Sequence, residues 1–348
     1  MPPAVRRVSR SLIFDSFGDS ITVGFYASNQ ATTAYIPVLE GLRGWDFTNH
    51  AIGGRTAVTH AEEIYGFDPT SNSISTYMLG TNDELFMTTA DQRSDFGNIQ
   101  IAEVAYLAIP QANKVLGLDT NAVAYSGTWS DTAQYGLGRK SAVQDSTATF
   151  TLTGTVLIFG FIGNDATQGS PSQLTITVDG VVHGPYTPWF LGTLPALVYA
   201  PYSVVITGLD NTAHTVVITR TSANGPHLWF DWAGGVTQAD PLGAYVYVAN
   251  VLRQTAAGYI ANGGSDANVT AFNALIASNV SLLQSYGLNV ELVDINAALN
   301  ITTDLDADGI HPNDTGHGKL ATTFSAAMNP TNTLVQHLKI PGGFAKVN

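Results

Sequence analysis

Apolar and polar positions follow two different periods along this chain, and the change of period divides it. Leu12, Ile13, Phe14 and Phe17 give a short apolar run of strand type that ends on Gly18-Asp19-Ser20. Over 33–42, Tyr35, Ile36, Val38 and Leu39 fall partly on one helical face, provided Pro37 lies in the first turn. Residues 45–52 read as a second strand entering the turn Gly53-Gly54-Arg55-Thr56, and 74–79 as a third entering Gly80-Thr81-Asn82-Asp83. Residues 99–109 are apolar at helical spacing, and Pro110 closes them. Strand, turn and helix in repetition predict a parallel sheet with helices on both faces.

Near Asn121 the texture changes. From there to Gly235 the chain shows short strands, 148–152, 156–161, 174–178, 202–206 and 214–219, between turns rich in Gly, Asp and Asn. No helical period is visible, and strands at this spacing predict a β-sandwich. Four of the five Trp lie here: Trp129, Trp189, Trp229 and Trp232. After Gly235 the first texture returns. It gives a buried strand at 244–252, an amphipathic helix at 271–286 capped by Gly287, a fifth strand at 289–295 and a closing helix at 315–328. The expected organisation is one α/β domain, 1–121 and 236–348, interrupted by an all-β module at 122–235. The module leaves the core after a helix that follows the third strand. It is therefore expected at the sheet edge away from the ligand loops, serving to anchor or assemble.

Composition narrows the function. Of 348 residues 45% are apolar and only 12% charged, so the surface is built from Thr, Ser, Asn, Gln and Gly. A net charge of −13 argues against nucleic acid as a partner. No run approaches the ~18 apolar residues of a membrane span. There is no Cys, which removes disulfides, thiolate metal sites and a thiol nucleophile. Met1 to Ser11 carries Arg6, Arg7 and Arg10 without a following apolar stretch, so no secretory signal peptide is read there. The expected location is nonetheless extracellular or virion-associated rather than cytoplasmic; an oligomer is compatible with the sequence.

The chemistry gathers at strand ends, where open α/β sheets bind ligands. A nucleophilic hydroxyl needs a base, a carboxylate that orients the base, and N–H donors for the oxyanion. Ser20 is the candidate nucleophile and His311 the base. Asp308, three residues before His311, is the orienter if one bent loop carries both. The oxyanion donors are the backbone N–H groups of Ser20 and Gly54 and the amide of Asn82; a Cβ at Gly54 is expected to crowd the substrate oxygen. Gly18-Asp19-Ser20-Ile21, the block 49–56, Leu79-Gly80-Thr81-Asn82-Asp83 and Asp308-Gly309-Ile310-His311-Pro312 resemble, in order, the four blocks of the SGNH (GDSL-type) hydrolases. The likeness covers roughly 11–117 and 241–328. It implies a flavodoxin-like three-layer α/β sandwich around a five-stranded parallel sheet, the roles just given, and esterase, lipase or carbohydrate deacetylase chemistry without a cofactor. The second block, with its Gly-Arg-Thr, resembles the polysaccharide deacetylases. The insert resembles a jelly-roll carbohydrate-binding module on Ser126-Gly127-Thr128-Trp129-Ser130, Val178-Asp179-Gly180, the stretch 208–216 and Phe230-Asp231-Trp232.

Other residues carry weaker expectations. Arg55, His50, Asp83, Trp129 and Trp232 are candidates for substrate contact, although packing is the default for aromatics in a sandwich. His60 reads as structural or solvated, and His317 as an exposed residue in the first turn of the last helix. Asp304, Asp306, Asp308 and Gly309 match the start of an EF-hand loop, but Thr315 stands where the bidentate Glu is required, so no metal is expected. The resulting expectation is a serine esterase that removes acetyl or other small acyl groups from a polysaccharide. Two alternatives stay open: a hydrolase of lipid or thioester substrates, and a glycan-binding or structural protein of a virion or cell surface with a vestigial hydrolase core.

Overall fold

The computed structural model of the chain describes residues 12–131, 135–164, 172–192, 199–223, 225, 227–237 and 244–328. The N-terminal stretch with Arg6, Arg7 and Arg10 lies outside them. The first part runs β1 (Ile13–Gly18), α1 (Ser20–Val23), α2 (Tyr35–Arg43), β2 (Phe47–Asn49), α3 (Ala57–Tyr65), β3 (Ser73–Met78), α4 (Thr81–Phe86) and α5 (Ala90–Ala108). Strands follow: β4 (Lys114–Leu116), β5 (Ala124–Ser126), β6 (Ser130–Asp131), β7 (Arg139–Ser141), β8 (Thr147–Thr153) and β9 (Val156–Asn164). They continue as β10 (Leu174–Val178), β11 (Val181–Tyr186), β12 (Tyr199–Ile206), β13 (Ala213–Arg220) and β14 (Leu228–Val236). The last part is β15 (Tyr245–Ala249), α6 (Ala256–Asn262), α7 (Asp266–Ser285), β16 (Asn289–Val293), α8 (Ile295–Ala298) and α9 (Asp314–Ala327).

The core sheet is five-stranded, in the order β16-β15-β3-β1-β2, and every pairing is parallel. Taken by succession of the core strands, that order is 2-1-3-4-5, the flavodoxin-like arrangement. Side chains alternate across it as strand geometry requires. Tyr245, Tyr247 and Ala249 of β15 pack with Tyr35, Leu39 and Phe324 of α2 and α9. Val246 and Val248 face the other way, with Phe17, Tyr77, Ile99 and Phe272 among α3, α5 and α7. The inner strands β3 and β15 are buried on both sides, and β1 from Phe14 onward, whereas the edge strand β2 exposes Thr48 and Asn49.

The middle of the chain forms two antiparallel sheets, β11-β10-β13-β8-β5 and β12-β9-β14-β7-β6, with β4 paired to β14. Phe150, Phe159, Phe161, Ile176, Val216, Ile218 and Phe230 fill the space between them. The second sheet lies along the α/β core, with β12 against α5 and α3. Asp95 of α5 accepts the backbone N–H groups of Leu191 at 3.1 Å and Gly192 at 2.7 Å, tying the two parts together.

Helices α5, α7 and α3 are among the elements that differ from the sequence reading. Helix α5 starts at Ala90 rather than near 99, on a capping box in which Thr89 and Gln92 bond reciprocally. It is buried from Asp95 to Ala108 except for Asn98 and Ile101, because sheet and sandwich cover it from two sides, so its polar face is missing. Helix α7 starts at Asp266, capped by Ser265. Helix α3 was not foreseen, although Ala57, Val58, Ala61, Ile64 and Tyr65 have helical spacing and Thr56 caps it. Among the described residues no helix is long and apolar enough to cross a membrane.

Trp232, a candidate sugar contact, is fully buried instead. Its ring meets Tyr106 of α5 edge-on at 5.4 Å, and it sits over Gly160, where a Cβ would come 2.1 Å from Nε1. The indole is the side chain by which sandwich and helix interlock. Trp232→Ala should cost about 3–5 kcal/mol, as for other large buried aromatics. Urea unfolding checks this; a loss below about 1 kcal/mol would contradict the packing described.

Candidate active site

The site begins where β1 ends. Gly18 passes so close to β3 and α1 that a Cβ would lie 2.1 Å from Thr22 Oγ1 and 3.0 Å from the Met78 carbonyl. Asp19 is the N-cap of α1, its Oδ1 accepting the Ile21 N–H at 3.0 Å. Ser20 is the first helical residue, which leaves its backbone N–H without an intrahelical acceptor. Gly24, at φ 89°, ends the single turn of α1.

His311 reaches this turn from the far end of the chain. Ser20 Oγ lies 2.7 Å from His311 Nε2, and His311 Nδ1 lies 2.5 Å from Asp308 Oδ2. With the Nδ1 proton facing Asp308, the Ser20 hydroxyl donates to Nε2. Asp308 Oδ1 accepts the N–H groups of Ile310 and His311, both at 3.1 Å. Partial burial opposes the Asp308 charge. The bonds from the His311 ring and the two backbone groups outweigh it and hold the carboxyl below its usual range. The bend that carries both residues is possible because Gly309, at φ 75°, packs against α6, with its carbonyl accepting the Thr255 N–H at 2.9 Å.

The second and third blocks adjoin this turn. The His50 and Ile52 N–H groups donate to Ser16 and Gly18 carbonyls at 2.8 and 3.1 Å, carrying the chain along β1. Gly54 has φ 77°, a backbone conformation that favours glycine whatever surrounds it; a Cβ there meets nothing within 4 Å. Asn82 Nδ2 donates to the Arg55 carbonyl at 2.8 Å and, more weakly, to Asp19 Oδ2 at 3.4 Å. The side-chain amide thus joins the Gly54-Arg55 turn to the Asp19-Ser20 turn.

The remaining sequence candidates fall elsewhere. Asp83 is not positioned to touch a substrate: it is fully buried and its two oxygens accept the Ala57 N–H at 3.1 and 3.0 Å, at the start of α3. His50 is bonded through Nε2 to Asp15 Oδ1 at 2.8 Å and stacks on Phe17 at 4.8 Å. Arg55 points its guanidinium at Glu63, 3.4 Å away. Trp129 stands in the sandwich, half-buried against Tyr125, with Nε1 donating to the Ser126 carbonyl. His60 is fully buried, and desolvation, aided by the Arg55 charge, pushes its pKa down to about 4. His317 is a correction: it is in the first turn of α9 but buried, with Nε2 donating to the Phe25 carbonyl at 3.3 Å. The EF-hand-like carboxylates do not converge. Asp304 binds Lys319 Nζ at 2.6 Å, Asp306 accepts the Ala307 N–H, and Asp308 serves His311.

Sequence reasoning missed the two aromatics that follow Gly24. Phe25 lies against Gly53, and Tyr26 stacks on the His311 ring at 5.1 Å with an interplanar angle of 21°. Two aromatic residues directly after a helix-ending Gly were the available signal. As a whole, the site offers a hydroxyl bonded to an imidazole, a carboxylate that fixes its tautomer, and donors on neighbouring turns. This is the equipment of acyl transfer.

No family model matches the chain, and no curated protein matches it in sequence. Among solved structures it is similar to the native aryl esterase of M. smegmatis, at 11% identity and a TM-score of 0.43, covering 93% of this chain and 100% of that one. It is similar to Est24, a carbohydrate acetylesterase from Sinorhizobium meliloti, at 10% identity and a TM-score of 0.42, covering 91% and 97%. It is also similar to a two-domain esterase active on acetylated mannans, at 12% identity and a TM-score of 0.33, covering 66% and 92%.

Beneath the site lie two buried carboxyls, Asp19 and Asp83. Burial pushes each up to about 7; backbone N–H bonds oppose the rise, and for Asp83 the neighbouring Asp19 charge adds to it. A carboxyl whose folded pKa exceeds its unfolded one stabilises fully below the unfolded value, and that contribution is lost as pH rises toward the folded value. Each carboxyl should therefore lower stability by on the order of 2 kcal/mol between pH 5 and pH 8, partly offset by His60, whose lowered pKa favours the fold as pH rises through about 6.5. Urea midpoints at the two pH values measure it. Asp83→Asn should narrow the gap; an unchanged gap would remove Asp83 as its source.

Proposed function

We propose that this chain is a serine carboxylic ester hydrolase that removes acetyl or similarly small acyl groups from a polysaccharide. One observation carries the chemistry: Ser20 Oγ is 2.7 Å from an imidazole whose other nitrogen is held by Asp308. Ser20 Oγ attacks the ester carbonyl while its proton passes to His311 Nε2. The carbonyl oxygen, now negative, is met by the backbone N–H groups of Ser20 and Gly54 and by the Asn82 amide. One Asn82 hydrogen is committed to the Arg55 carbonyl; the other, loosely held at 3.4 Å from Asp19, is the one offered. His311 then protonates the leaving alcohol and the acyl group stays on Ser20. A water, deprotonated by the same nitrogen, releases the acid and restores the serine.

The polysaccharide part of the reading is supported by the appended β-sandwich, by a surface with few ions, and by the exposed aromatics beside His311. Acylated polysaccharide is met outside cells, so the reading carries an extracellular or virion-associated location with it.

Ser20→Ala should lower hydrolysis of p-nitrophenyl acetate at least about 10³-fold with the fold intact by circular dichroism. Asp308→Asn should lower kcat by roughly 10³–10⁴ through the wrong imidazole tautomer. A fluorophosphonate should label wild-type Ser20; a chain that takes no label and cleaves no acetyl ester would instead be a binding protein with an idle core.

A further inference from the structure

Tyr26 has a backbone conformation that a bulky residue rarely adopts, with φ at 64°. Such strain persists only where the surroundings over-determine it, and it gathers at functional sites. Here both flanks are fixed. On one side the Phe25 N–H donates to the Ser20 carbonyl at 2.9 Å and the Phe25 carbonyl accepts from His317. On the other, Asp314 at the start of α9 accepts the Ser28 N–H at 2.7 Å, the Ser28 hydroxyl at 2.5 Å and the Thr33 hydroxyl at 2.8 Å. The segment is thus pinned to the nucleophile turn and to the helix that follows His311-Pro312. The strained residue is not tucked into the core: Tyr26 is 51% exposed while its ring stacks on His311.

The direction of the reaction says what this ring meets. The oxyanion donors lie on the Gly54 and Asn82 side. The alcohol leaves by taking its proton from His311 Nε2, so the alcohol half of the ester lies on the imidazole side. A flat aromatic ring there, exposed and carrying a phenolic hydroxyl, suits the C–H face of a pyranose better than an alkyl chain, which needs an enclosing apolar groove.

We propose that Tyr26 is a sugar-stacking platform that selects pyranose-bearing alcohols as the leaving group. This rests on the esterase reading, in which the alcohol half departs past His311. The test separates binding from turnover. On a Ser20→Ala background, acetylated xylo-, manno- and cello-oligosaccharides are titrated by calorimetry with Tyr26 intact, with Tyr26→Phe and with Tyr26→Ala. At least one sugar should bind; Tyr26→Ala should weaken it tenfold or more, and Tyr26→Phe less than threefold. In otherwise wild-type enzyme, Tyr26→Ala should lower kcat/KM on that sugar, mainly through KM. The loss should be at least tenfold larger than on ethyl acetate, whose alcohol has no ring to stack. Absence of binding by all three sugars, equal affinity of the Tyr26→Ala form, or equal losses on both esters would overturn the platform. Equal losses would mean that the ring only steadies the imidazole. Failure of the esterase reading shows separately, as absent hydrolysis of p-nitrophenyl acetate by the wild-type chain.

Discussion

One hydrogen bond, from Ser20 to His311, joins residues 291 positions apart and decides what the rest of the fold must achieve. Ser20 follows β1, which lies inside the core sheet, whereas the chain that carries His311 leaves from β16 at the sheet's edge. The return is held by polar anchors rather than by regular structure. Leu305 and Pro312 form an isolated bridge, Asp304 is buried under Lys319 and the Asn300 N–H, and Asn313 caps α9 while its amide binds the Thr303 and Leu305 carbonyls. The acidic loop that looks like a cation site is thus spent on positioning the His311 imidazole.

The same turn is costly to build. Asp19, Asp83 and Glu103 are fully buried, and burial raises the pKa of all three. Each has a specific donor, Ile21 N–H, Ala57 N–H and Tyr77 hydroxyl respectively: Asp19 caps α1, Asp83 ties α4 to α3, and Glu103 ties α5 to β3. A turn supported by acidic groups in low dielectric trades stability for fixed geometry.

The parts of this arrangement that were legible in the sequence are those written in local pattern. Strand runs ending in Gly18-Asp19-Ser20, Gly53-Gly54 and Gly80-Thr81-Asn82 gave the sheet and the turns around Ser20, because a buried strand and a glycine turn are both local statements. The extent of α5 was hidden because the sandwich covers the face that would have shown a polar stripe. Helix α3 was readable from the helical spacing of Ala57, Val58, Ala61 and Ile64. The depth of His317, the enclosure of Trp232 and the stacking of Tyr26 on His311 come from elements distant in the chain, and no periodicity encodes them.

The sandwich is spliced between two strands, β3 and β15, that lie side by side in the core. Their pairing requires closure of a very long loop, whose entropic cost rises with length and slows non-local contacts. The antiparallel pairing of β4 with β14, Lys114 against Gly234, brings the two ends of the insert together. A sandwich that has already formed turns the long loop into a short one. The pairing of β4 with β14 thus shortens the loop that must close before β3 meets β15, which lowers the entropic cost of that contact.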